Sequence, residues 1–167
     1  MTDDKLRWLV DRTEISETIT RYFNALDLRD WPAMRATLYD TLELDFSELF
    51  GDPRAMIDSD AFIEFGRPLM GGFRATQHIS PNHVITIDSD GDSAEATAYM
   101  YAWHAVDAPD GVENTYTLRG SYDISMRRTE DGWRMSRLCM HVWDEAGSKD
   151  VFRISRERYD SLHAATS

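Results

Sequence analysis

The stretch from Ala75 to Val106 constrains this chain most, because it reads as two long strands joined by a tight turn, with a histidine on each arm. Before the turn stand the β-branched residues Val84, Ile85, Thr86 and Ile87; after it, Tyr99, Tyr101 and Trp103 alternate with other apolar residues. Ser89-Asp90-Gly91-Asp92 between them is a strong hairpin cue, since Asp-Gly tolerates the positive φ that such turns need. Register then bears on chemistry. An odd loop centred on Gly91 sets His78 opposite His104, with their Cβ atoms about 5 Å apart on one face. A two-residue loop sends them to opposite faces, and a bulge at Pro81 changes the parity. The residues alone leave both arrangements open.

The second arm has two unlike faces. One carries Ala96, Ala98, Met100, Ala102 and His104; the other carries Tyr99, Tyr101 and Trp103. Neither is polar, so neither is expected to face water alone. One face is expected to cover helices and a cavity. The other is expected to pack on a second copy of the chain, giving a homo-oligomer, dimer or trimer.

Around this hairpin the periodicities place helices first and strands after. Ile15, Ile19, Tyr22, Phe23 and Leu26 have helical spacing, predicting a helix from Asp11 to Leu28 capped by Asp11 or Thr13. A short helix follows with Asp30 as N-cap and Pro32 in its first turn. Leu42–Phe46 alternates like a strand. Asp58 and Ser59 cap a third helix that buries Phe62, Ile63 and Phe65, before Gly66 and Pro68 break it. Beyond the hairpin, strands are predicted at Thr115–Arg128 and Trp133–Trp143, and a final helix from about Val151 to Leu162. This is an α+β arrangement in a single domain, residues 1–167, large enough to enclose a core and a pocket.

Charge and composition exclude several roles. A formal charge of −12 opposes nucleic acid and anionic membrane surfaces, and sixteen arginines are scattered without forming a patch. Cys139 is the only cysteine, which precludes an internal disulfide and fits a reducing compartment. No apolar run reaches the roughly 18 residues of a membrane span. The expected location is cytoplasmic. There is no glycine-rich phosphate loop, no Gly-x-Ser-x-Gly elbow, no Cys-x-x-Cys and no His-Glu-x-x-His. His78 and His83, with Pro81 between them, are badly spaced for shared ligation, so neither a metal nor an organic cofactor is expected. What remains is a set of histidines and aspartates in aromatic company: His78, His104, Asp27 and Asp45. Taken singly, a strand histidine is more often a hydrogen-bonded structural residue, and Asp30 is simply a cap.

Several stretches, in order, are similar to the SnoaL-like branch of the nuclear transport factor 2-like superfamily. They are Asp11-Arg12-Thr13-Glu14-Ile15, Arg21-Tyr22-Phe23, Leu26 to Trp31, Leu44-Asp45-Phe46, Thr76-Gln77-His78 and Asp131-Gly132-Trp133-Arg134. The resemblance runs from about Asp11 to Trp143. It implies a cone-shaped fold, with N-terminal helices packed on a strongly bent antiparallel (mixed) sheet that encloses a pocket. The family holds polyketide cyclases, ketosteroid isomerases, epoxide hydrolases, dehydratases and members without catalysis. The scytalone and bile-acid dehydratases resemble this chain most, pairing an Asp at the end of the first helix (Asp27) with a strand His (His78). A second strand His falls at His104, and a tyrosine stands five residues before the Asp, at Tyr22. The scytalone type carries tyrosines beside its two aspartates, where this chain has Leu26 and Phe46.

The implied activity is a cofactor-independent lyase, eliminating water from a small, largely apolar, ring-bearing substrate, or cleaving a carbon–carbon bond in a related retro-aldol step. An isomerase or cyclase and a non-catalytic ligand-binding module are the alternatives. In the implied site Asp27 orients His78, and Tyr22 and His104 complete the catalytic set. Asp45, Phe46, Tyr101, Tyr116 and Trp143 are expected to contact the substrate.

Overall fold

Apolar residues recurring at three and four positions make the first helix. Ile15, Ile19, Tyr22, Phe23 and Leu26 lie along one stripe and are buried in the computed structural model, which describes residues 3–164. This helix, α1 (Asp3–Leu28), begins well before the expected cap at Asp11. Asp11 is engaged elsewhere: its buried carboxylate pairs with Arg128 at 2.8 Å and accepts from the Trp133 indole at 3.2 Å. With nothing to stop it there, the helix continues outward and leaves Leu6, Trp8, Leu9 and Val10 half exposed.

Next comes α2 (Trp31–Arg35), where the Asp30 side chain accepts from the Ala33 amide at 3.0 Å. Then follow β1 (Leu38–Asp45), α3 (Ser47–Phe50) and β2 (Ala55–Asp58). The last two, of four residues each, are too short to show a period in the sequence. Asp58 caps α4 (Ser59–Gly71) as expected, but the helix does not break at Gly66 and Pro68. A proline removes one helical hydrogen bond. Here the helix packs on α5 (Asp150–Ala164), whose Ser155 hydroxyl donates to the Leu69 carbonyl at 2.8 Å, and this contact carries it past the proline.

The long stretch around Gly91 forms three strands, not two. β3 (Ala75–Ile79) and β4 (Val84–Ile87) both pair with β5 (Ser93–Ala105), and Ser80–His83 interrupts the first arm. The β4–β5 register pairs Ile87 with Ala94, with an even number of residues (88–93) around the turn between them, and continued unbroken it would set His78 against Trp103 on the outer face. The interruption holds Pro81 and Asn82, the latter at φ 64°, and slips the register by one residue. His78 therefore lies opposite Ala102, and Thr76 lies opposite His104. The two histidines share the inner face as diagonal neighbours, not as the direct pair that an odd loop would give.

The remaining strands are β6 (Thr115–Thr129) and β7 (Gly132–Gly147), and the sheet order is β2-β1-β7-β6-β5-β3. β1 runs parallel to β7; every other pair is antiparallel. The sheet is mixed, curved and unclosed, and the helices pack against it. Register shifts on β6–β7 at Arg119/Gly120 and Ser125/Met126 supply part of the bend. At the first, a Cβ on Gly120 would lie 1.8 Å from the His141 carbonyl oxygen, so only glycine fits. On β5 the inner row Ala94, Ala96, Ala98, Met100, Ala102 and His104 is buried, and its small side chains leave room beneath α1.

Gly120→Ala is expected to destabilise the fold by about 1–3 kcal/mol through overpacking against backbone. In scanning calorimetry this reads as a Tm lowered by about 3–10 °C.

Candidate active site

Between the helices and the inner sheet face lies a cavity of about 320 Å³. Its wall is apolar, built by Phe23, Leu26, Met34, Phe62, Leu118 and Phe152 among others. Tyr22 from α1, His78 from β3, His104 from β5 and Tyr122 from β6 bring hydrogen-bonding groups to that wall, as do Trp31 and Asp52. Among the described residues, no lysine or arginine lines the cavity, and Asp52 is its one carboxylate.

Helical periodicity explains the first contribution. Tyr22, Phe23 and Leu26 face the cavity, and Asp27, one residue on, turns toward β3. Its Oδ2 accepts the backbone N–H of His78 at 2.7 Å, and its Oδ1 lies 2.7 Å from Nδ1 of the same ring. The Thr76 hydroxyl donates to Oδ1 at 2.8 Å. Burial alone would raise the pKa of this carboxyl, but the hydrogen bonds and charge of His78, with the Thr76 bond, outweigh it and hold the group below the usual range. An ionised carboxylate only accepts hydrogen bonds, so Nδ1 carries a proton, and in the neutral ring Nε2 is the bare nitrogen. The His78 ring stacks on Phe23 at 5.9 Å between centroids and meets His104 edge-on at 5.2 Å.

His104 has a different environment. It is 3% exposed, packed against Phe73 and Phe152, and its Nδ1 is buried without a hydrogen-bond partner among the described residues. Burial, reinforced by the neighbouring His78, pushes its pKa down to about 3. His104 is thus a neutral imidazole, one nitrogen a donor and one an acceptor, at every ordinary pH. Burial likewise pushes the hydroxyls of Tyr22 and Tyr122 up, so both stay protonated and able to donate.

The structure brings Asp27, His78, Tyr22 and His104 together and sets Phe46 on the cavity wall. It corrects the expected placement of four others. Asp45 alternates with Leu44 and Phe46, which line the cavity, and so turns away, accepting from the Ser47 hydroxyl at 2.6 Å. Tyr101 lies on the outer face, and Trp143, 61% exposed, packs on Tyr99 there at 5.3 Å. Tyr116 is buried behind His104 and does not reach the cavity. His83 and His141 bond to Ser16 and to Glu48 and Asp123, away from the cavity. Sequence reading missed Tyr122, although β6 alternation (Tyr116, Leu118, Gly120, Tyr122) marks it as inward-facing. It also missed the role of Thr76 and any role for Arg29, which no periodicity indicates. Among the described residues, no three of His, Cys, Asp and Glu are grouped to hold a metal ion.

The His104 environment has a measurable consequence. Its pKa is depressed from about 6.5 in the unfolded chain to about 3 in the fold. Its contribution to stability is therefore complete above the unfolded value and is lost as pH falls from about 6.5 toward 3. Urea midpoints measured across that window should fall less steeply in His104→Gln than in the wild type.

Comparison with known proteins agrees with this fold. The sequence profile of the SnoaL-like domain matches residues 7–139. No curated protein matches the chain. Among solved structures, the Kfla4162 protein from Kribbella flavida is 31% identical, covering 88% of this chain and 97% of its own, with a TM-score of 0.79. A candidate scytalone dehydratase from Novosphingobium aromaticivorans is 19% identical, covering 86% and 91%, at TM-score 0.73. A hexachlorocyclohexane dehydrochlorinase, LinA type 2, is 12% identical over 86% and 93%, at 0.71; both share the fold. With the profile spanning most of its length, and the cone of helices over a bent sheet in place, this chain belongs to the SnoaL-like family of the NTF2-like fold.

Proposed function

We propose that the protein is a cofactor-independent lyase that removes a proton beside a carbonyl and expels a β-hydroxyl as water. The observation that carries this reading is His78 on the wall of an open cavity, held from behind by Asp27. A chain that served only as a scaffold would be expected to fill that space with side chains. In the reaction, Nε2 of His78 takes the proton from carbon, and the electron pair of that C–H bond flows toward the carbonyl oxygen. Tyr22, Tyr122 or neutral His104 donates a hydrogen bond to the developing oxyanion. The enolate then re-forms the carbonyl as the C–O bond breaks. The leaving oxygen takes the proton back from His78, so water departs and the imidazole returns to its starting state. Asp27 stays ionised throughout, stabilising the transient imidazolium.

The cavity also supports a substrate class. An apolar wall without a cation favours a neutral, ring-bearing molecule with its polar atoms at one end. The places of the scytalone-type tyrosines hold Leu26 and Phe46, both on the wall, so the substrate is expected to be more apolar there. Two of the structural neighbours, a dehydratase and a dehydrochlorinase, carry the names of eliminations, of water and of hydrogen chloride. Retro-aldol cleavage would use the same base and the same enolate.

The outer sheet face supports a homo-oligomer. Tyr99 is 50% exposed and Trp143 61%, an aromatic pair of the kind that marks an interface. Sedimentation at micromolar concentration should show a dimer or trimer that Tyr99→Glu dissociates, leaving the cavity residues untouched.

The mechanism is tested with neutral cyclic β-hydroxy ketones, following the ultraviolet absorbance of the conjugated enone product. His78→Ala and Asp27→Asn should each lower kcat by about 10²–10⁴, and the double variant should lose little more than the worse single one. A loss of less than about tenfold in His78→Ala would place the base elsewhere. Activity should survive exhaustive chelation and dialysis.

A further inference from the structure

Residue Arg29 combines an unfavourable backbone with an unusual set of bonds. Helix α1 ends in a left-handed turn: the Arg29 amide donates to Leu26 O at 3.2 Å and the Asp30 amide to Ala25 O at 2.9 Å. The left-handed position in that turn is usually glycine, yet Arg29 holds it at φ 59°. A side chain kept in a conformation that disfavours it, beside a functional site, calls for a function that outweighs the strain.

The bonds made by its guanidinium point to one. Nη1 donates to Leu26 O at 2.7 Å, to Asp27 O at 2.9 Å and to Thr76 Oγ1 at 2.8 Å. A guanidinium has no acceptor, so Thr76 must receive that bond on its oxygen. The single hydroxyl proton of Thr76 is thereby directed onto Asp27 Oδ1, 2.8 Å away. That oxygen also accepts Nδ1–H of His78, while Oδ2 takes the His78 amide. Neither Arg29 nor Thr76 lines the cavity, so neither can act on a bound molecule directly.

We propose that Arg29 is a positioning residue: acting through Thr76, it locks the Asp27 carboxylate in the one orientation that accepts both the backbone and the ring N–H of His78. This rests on the reading of His78 as the base, oriented by Asp27. The competing role, a plain cap on the carbonyls ending α1, makes a different prediction, because Arg29→Gly suits the left-handed turn and removes only the guanidinium.

The test is a proton NMR spectrum of the full-length protein without substrate, reading the exchange of the His78 Nδ1–H with water, alongside thermal unfolding. In the wild type this proton should give a resolved downfield resonance. In Arg29→Gly and in Thr76→Val it should exchange at least about fivefold faster, the factor for losing one hydrogen bond of ordinary net strength. Thr76→Ser, which keeps the hydroxyl, should retain the wild-type resonance. Arg29→Gly should keep or raise Tm. An unchanged resonance in Arg29→Gly overturns the proposal, as does a marked fall in Tm with the resonance intact. Should Arg29→Gly not fold, the threonine pair decides: a resonance kept in Thr76→Val overturns the proposal, and one lost there but kept in Thr76→Ser supports it. The readout needs no turnover. An inactive protein with the expected spectra would sink the functional reading alone; an active one with unchanged spectra would sink only the role of Arg29.

Discussion

The carboxylate of Asp27 joins the helical layer to the sheet, and the geometry of the cavity follows from that junction. It sits where α1 ends and β3 passes, half desolvated, and it survives there as an anion because His78 and Thr76 surround it with donors. The same bonds that stabilise the anion hold the His78 ring and set its tautomer. A group placed to close a packing interface therefore also fixes how the imidazole is presented to the cavity. Removing either partner would leave the other buried and unpaired, which is costlier than never having had the pair.

Around this polar end the structure keeps its cavity largely apolar. The wall is hydrocarbon and aromatic, and the second histidine is so well buried that it stays uncharged. Two imidazoles a few ångströms apart thus differ in role through environment alone. His78 has an anion beside it and can take up a proton; His104 has aromatic rings and an unpartnered nitrogen, and can only exchange hydrogen bonds. Low dielectric strengthens each of these interactions and makes any mispaired group expensive.

Much of this was legible in the residues themselves. The stripe of Ile15, Ile19, Tyr22, Phe23 and Leu26 announces a helix, and its continuation places Asp27 at the helix end. Alternation on β5 separates the buried alanine row from the tyrosine face, and the same alternation should have excluded Asp45 and Tyr101 from the cavity, because neighbours on a strand point to opposite faces. Tyr116 faces inward correctly and still misses the cavity, because depth along a strand depends on what packs over it. Local propensity makes Pro68 a helix breaker, and tertiary packing overrides it.

What the sequence by itself determined is whatever depends on local periodicity and side-chain chemistry. That covers the order of helices and strands, the α+β character and the acidic balance of charge; the pairing of Asp27 with His78 came only as what the resemblance to the SnoaL-like family implies. Tertiary structure alone decided the rest. Whether His78 and His104 share a face turns on a one-residue slip at Pro81 and Asn82, which no count of the loop around Gly91 reveals. Whether Asp11 caps a helix or pairs with Arg128 depends on a residue far along the chain. That Arg29 reaches Thr76 follows from where α1 meets β3 in space. Periodicity tells each residue which way to face, but a hydrogen bond needs two groups within 3 Å or so, and only the packed fold sets that distance.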